Sequence, residues 1–145
     1  TNKNKVGNNK LIVGATTYFK NIPNIAVNFS KRYSKFQTEQ QTTKYVNNEL
    51  LVDLEYDFWN GFIFKSDYSF KQNVNKNTQI INNYNQAKLS LFYQKENCAW
   101  GYELAINNLF NQKYKQNNSF SNYLISEEFT AVMPRVIMFK LSYKL

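Results

Sequence analysis

Apolar and polar residues alternate one for one along most of this 145-residue chain, and a period of two admits little besides β-strands. The closing stretch RVIMFKLSYKL shows the pattern plainly. Ile137, Phe139, Leu141, Tyr143 and Leu145 share one side, while Met138, Lys140, Ser142 and Lys144 share the other. Helical periodicity is nearly absent. Seven segments carry the alternation, at 11–19, 24–33, 45–58, 62–70, 84–93, 100–108 and 135–145, so the expected architecture is all-β, antiparallel and up-and-down.

The connections between these segments differ in length. KNIPN, WNG and QKENCA are short, whereas SKFQTEQQTTK, KQNVNKNTQ and the stretch from Leu109 to Ala131 are long and polar. Short turns on one side and long loops on the other are the habit of transmembrane β-barrels. Aromatics make up 17% of the chain, with 11 Tyr and 12 Phe. Phe19, Phe58, Trp59, Phe62, Tyr93, Trp100, Tyr102 and Tyr143 lie near the short turns or the C-terminus. Tyr33, Tyr45, Tyr68, Phe70, Tyr84 and Phe110 lie towards the long loops. Two such bands read as the two girdles of a membrane barrel, because an aromatic ring with a polar tip favours the interface.

Other classes fall away on composition. The chain contains no His and a single cysteine, Cys98. Imidazole chemistry, an internal disulfide and a multi-cysteine metal site are therefore excluded. The charge is +8, from 18 Lys+Arg against 10 Asp+Glu. The lysines are scattered among Asn and Gln in the expected loops, so the excess reads as a solvated surface and not as a nucleic-acid interface. The abundant Asn reads as loop filling. No catalytic residue, cofactor site or metal site is expected. Ser126 to Glu128 read as a solvated loop segment.

Asp53, Glu55 and Asp57 fall on one face of the third segment, facing Lys65 and Asp67 on the fourth. Together with Lys88, Glu103, Lys140 and Lys144 they read as the polar lining of a lumen. Complete single-chain barrels have an even number of strands, the smallest having eight. Seven strands with ends on opposite sides therefore predict the C-terminal wall of a larger barrel. In that object TNKNKVGNNK precedes the first strand on the outer side, and the last strand, down to Leu145, pairs with the barrel's missing first strand.

The stretch ELAINNLFNQKY, followed by SFSNYLISEEFTAVMPRVIMFKLSYKL, resembles the C-terminus of TonB-dependent receptors, specifically the outer-membrane β-barrel proteins of Bacteroidota. Asn107, Asn108, Leu109, Phe110 and Asn111 match the family's NNLFN pattern at the end of the penultimate strand. Pro134 and Arg135 match the start of the last one. The resemblance implies a Gram-negative outer-membrane location and a part in TonB-dependent uptake of a nutrient or chelate. It also implies partners. The barrel-assembly machinery would read Ile137, Phe139, Leu141, Tyr143 and Leu145, and an energy-transducing inner-membrane protein would engage a plug-bearing part outside these residues. Alternation alone also admits a soluble, lipocalin-like ligand-binding barrel with the apolar face turned inward. An outer-membrane enzyme barrel would need a convergent acid, base or nucleophile, and none emerges.

Overall fold

The computed structural model describes residues 5–19, 22–39, 41–120 and 125–144, with the backbone alone described for 117–120 and 125. Among the described residues there are nine strands and no helix. They are β1 (Lys5–Thr16), β2 (Asn24–Gln37), β3 (Thr42–Phe58), β4 (Phe62–Asn75), β5 (Ile81–Tyr93), β6 (Trp100–Asn107), β7 (Tyr114–Phe120), β8 (Ile125–Ala131) and β9 (Val136–Tyr143). Seven form one antiparallel sheet in the order β1-β2-β3-β4-β5-β6-β9, and β7 and β8 form a separate hairpin between β6 and β9. The sheet is open, with β1 and β9 as its edges.

All seven expected segments are strands of this sheet, with the expected faces. The registers set Leu54 opposite Ile25, Phe64 opposite Leu91, and Leu104 opposite Phe139. Residues directly opposite in an antiparallel pair share a face, so one face is apolar from β1 to β9 and the other is polar.

The expected long loops are not loops. β2 runs to Gln37 and β3 starts at Thr42, leaving 38–41 as the connection; β4 and β5 are joined by 76–80. The first connection, 17–23, is longer than either, so the segregation of loops by length is absent from the structure. At the N-terminal end, Lys5 to Lys10 belong to β1 and pair with Gln37 to Arg32. Expected strand ends also move inward: Thr17 to Phe19 lie outside β1, Asn108 outside β6, and Arg135 and Lys144 outside β9. Leu145 lies outside the described residues. The Lys144 amide donates to the Ala99 carbonyl at 2.8 Å, which carries the pairing one residue past β9.

Asn is a turn builder here and not filler. Asn75 Oδ1 accepts the amides of Asn77 and Thr78, and Asn77 Oδ1 accepts the Lys44 amide at 2.9 Å while its Nδ2 donates to the Thr42 carbonyl. Asn97, Asn108 and Asn111 adopt positive φ, a region Asn tolerates better than most side chains.

Candidate functional site

The apolar face has no covering layer among the described residues. Leu11, Val13, Ile137, Phe139 and Leu141 are all more than half exposed. At the end of the sheet where β3 turns into β4, this face finishes in a row of aromatic rings running across five strands. Phe58 and Phe62 stack at 5.7 Å, Phe62 meets Tyr93 at 4.4 Å, Tyr93 meets Tyr102 at 6.1 Å, and Trp100 meets Tyr143 edge-on at 4.8 Å.

The opposite limit of the apolar face is a ladder of amides that the sequence reading missed. Asn48 Nδ2 donates to Gln72 Oε1 at 3.0 Å, and Gln72 Nε2 donates to Asn83 Oδ1 at 3.2 Å. Asn48 also pairs with Lys31 of β2. The signal was available: a polar residue at apolar parity in three consecutive strands.

Between belt and ladder, β3 presents Leu50, Val52, Leu54, Tyr56 and Phe58. Eight steps at ~3.4 Å make about 27 Å along the strand. At the ~40° tilt of barrel strands this is roughly 20 Å in height, close to the ~25 Å apolar band of a membrane barrel. The aromatics expected as a second band near the long loops are divided between the two faces. Tyr33, Tyr68, Phe70 and Phe110 are on the apolar side, the last meeting Tyr68 edge-on at 6.2 Å. Tyr45 and Tyr84 are not. They pair with Ser34 and Lys71 on the polar face and are buried there.

Charge is sorted by face. Glu49, Asp53, Glu55, Asp57, Asp67 and Glu103, the acidic residues of the seven strands, all lie on the polar face. The charged residues on the apolar side are Lys5, Lys31, Lys35 and Lys44, at the ladder or beyond it.

The expected lining residues come together on the polar face as cross-strand pairs. Lys65 binds Glu55 at 2.8 Å, and Lys140 sits 3.8 Å from Glu103. Lys71 and Glu49, a pair not singled out from the sequence, close to 2.6 Å. Asp67 lies opposite Lys88 on one side and opposite Asp53 on the other, while Asp57 faces Ile63 and not a cation. Among the described residues, no group of three or more His, Cys, Asp or Glu is placed to hold a metal ion. Cys98 sits half-buried in the 94–99 connection.

The stretch from Leu109 to Ala131, expected as a long polar loop, contains the β7–β8 hairpin. It folds back against the polar face at the ladder end. Asn73 Nδ2 donates to the Gln116 carbonyl at 3.3 Å. Beneath it Ser34, Phe36, Thr43, Tyr45 and Tyr84 are buried. Burial, and secondarily the Glu127 carboxylate, pushes the Tyr45 phenol above its usual range; burial raises Tyr84 too, against a smaller opposing effect of Lys71.

The family-like motif forms the root of this hairpin. Asn107 ends β6, and Asn108, only 3% exposed, takes φ 51. Its Nδ2 donates to the carbonyls of Gln112 (2.9 Å) and Met133 (2.8 Å), and its Oδ1 accepts the Gln112 amide. The Leu109 amide donates to the Ala87 carbonyl of β5, and Asn111 Oδ1 accepts the Arg135 amide at 3.0 Å. The motif thus ties both limbs of the insertion together where they leave the sheet.

Compared with family models, with curated proteins and with solved structures, the chain matches none.

Proposed function

We propose that this sheet is a stretch of the wall of an outer-membrane β-barrel of the TonB-dependent receptor kind, taking part in uptake of a nutrient or chelate. The apolar face lies in lipid and the polar face towards the lumen. The observation that carries this reading is the uncovered apolar face, limited by an aromatic row at one end and an amide ladder at the other. A water-soluble domain rarely leaves so large an apolar surface bare. The sorting of every sheet carboxylate onto the opposite face supports the same orientation, because an acidic side chain in lipid is costly.

Each edge of a sheet in lipid would leave backbone groups unpaired at several kcal/mol apiece. The reading therefore requires further strands beside both β1 and β9. Ile137, Phe139, Leu141 and Tyr143 then form an outward row that barrel-assembly machinery could recognise. Coupling to an inner-membrane energy transducer would run through a part outside residues 1–145.

A lipocalin-like barrel would turn the apolar face inward around a ligand. The hairpin weighs against it, since it packs on the polar face and leaves the apolar one bare.

The test reads Trp59 and Trp100, both at the end of the sheet that carries the aromatic row, as the difference between the protein and its Trp59→Phe/Trp100→Phe variant. The full-length protein is folded into vesicles whose lipids carry bromine either near the headgroup or deep in the chain. Strong quenching by the shallow bromines and weak quenching by the deep ones is expected. A protein that stays monodisperse in buffer and is quenched by neither would sink the wall reading and favour the soluble barrel.

A further inference from the structure

One row of the polar face is left unfinished by its own side chains. Lys10, Arg32, Asn47 and Asn73 stand directly opposite one another in turn across β1 to β4. The next row towards the aromatic belt is complete, since Lys71 there is taken by Glu49 at 2.6 Å. In the unfinished row, neither Lys10 nor Arg32 has an ion-pair partner among the described residues, although they face each other as like charges. Asn47 Oδ1 is buried and accepts no hydrogen bond among the described residues. The row opens into a cavity of about 250 Å³. Its wall also includes Ser30 and the Glu49–Lys71 pair of the next row, the carboxylate there being held by its own lysine. The β7 strand roofs it through the Gln116 carbonyl, which accepts from Asn73 Nδ2.

Like charges directly opposite in a sheet destabilise it, and a buried acceptor without a donor costs the desolvation it never recovers. One kind of guest relieves both. An anionic group takes the two cations, with the planar Arg32 fork suited to two parallel bonds to carboxylate or phosphate oxygens. A hydroxyl on the same molecule donates to Asn47 Oδ1. At about 30 Å³ per water in the liquid, the cavity has room for a solute the size of a single sugar ring.

We propose that this cavity binds a small hydroxylated anion, a sugar acid or a sugar phosphate. The anion sits on Arg32 and Lys10, and a ring hydroxyl donates to Asn47. Access for the solute rests on the polar face being the lumen, but binding itself needs only the folded sheet and hairpin.

The experiment is calorimetric titration of the full-length protein in detergent micelles with galacturonate, glucose 6-phosphate, glucose and inorganic phosphate. At least one sugar anion should bind about ten-fold or more tighter than both glucose and inorganic phosphate, as charge-assisted and hydroxyl contacts add. Whether the carboxylate or the phosphate sugar binds better distinguishes the two sources of charge. Arg32→Gln and Asn47→Ala should each weaken that binding by about ten-fold, whereas Lys65→Gln, outside the cavity, should not.

Arg32→Lys keeps the charge without the fork and serves if Arg32→Gln misfolds; an intermediate loss is expected. Equal binding of glucose, equal binding of bare phosphate, full affinity in the Arg32 variants, or no binding of any probe would overturn the proposal. Tryptophan quenching of the same protein folded into the brominated vesicles separates the two readings. Binding without quenching sinks the wall alone, and quenching without binding sinks the site alone.

Discussion

Asn108 Nδ2 lies 2.8 Å from the carbonyl oxygen of Met133, twenty-five residues further along the chain. With its bonds to Gln112 and its positive φ, this one buried amide sets where the hairpin leaves the sheet and where β9 rejoins it.

Asn108→Ala removes three hydrogen bonds and places a β-carbon residue without a polar tip in the left-handed region. The expected loss is about 2–4 kcal/mol, from net bond values near 1 kcal/mol each plus backbone strain. Asn108→Gly relieves the strain and should lose less. Denaturant unfolding gives the difference, and faster amide exchange at Gln112 and Val132 would localise it to the hairpin root.

Gly61 closes the three-residue turn between β3 and β4 at φ +109, and a Cβ there would sit 2.7 Å from the Gln94 carbonyl oxygen. That oxygen belongs to backbone, which cannot swing away. Gly61→Ala should cost about 2 kcal/mol or more, measured as a lower unfolding midpoint.

Asp53 and Asp67 face each other with no cation between them. Asp53→Asn should therefore stabilise the sheet by up to about 1 kcal/mol, the range for like charges directly opposite. Glu55→Gln, which breaks a half-exposed pair with Lys65, should lose less than about 1 kcal/mol. A lower unfolding midpoint for Asp53→Asn than for wild type would refute this.

Depth should be readable by arginine. Val52 lies midway between belt and ladder, and Val52→Arg should oppose insertion by about 2–4 kcal/mol, whereas Asn48→Arg at the ladder should cost about 0–1 kcal/mol. Refolding yield into vesicles compares them, and equal yields would remove the membrane band.

Tyr45 and Tyr84 have phenols raised above the ordinary 10.0. Their folded-state pKa exceeds the unfolded one, so the stability they contribute is fully present below 10.0 and is lost as pH climbs through the raised values. Phenolate absorbance should show two late-titrating tyrosines, and the hairpin should loosen only in that alkaline range.

Strands were legible in the sequence wherever one face is apolar and the other polar, as in Leu50 to Phe58 or Ile137 to Tyr143. Beyond the ladder the one-for-one contrast between the faces vanishes, and Lys5 to Lys10, Ser34 to Gln37, Thr42 to Lys44 and Lys71 to Asn75 looked like loops although they pair as strands. The β7–β8 hairpin was hidden for the same reason. Tyr45 and Tyr84 were misplaced by nearness to the loops, although their parity with Glu49 and Gln86 already put them on the polar face.

By itself the sequence determined the seven sheet strands, their two faces and the absence of imidazole chemistry, because a strand's period of two is a local property of the backbone. Tertiary structure alone decided that Asn48, Gln72 and Asn83 join into a ladder. It also decided that Asp53 meets Asp67, and that Lys10, Arg32 and Asn47 share one roofed cavity. Those relationships depend on register and on the fold-back of the hairpin, which long-range pairing sets and no short stretch of chain encodes.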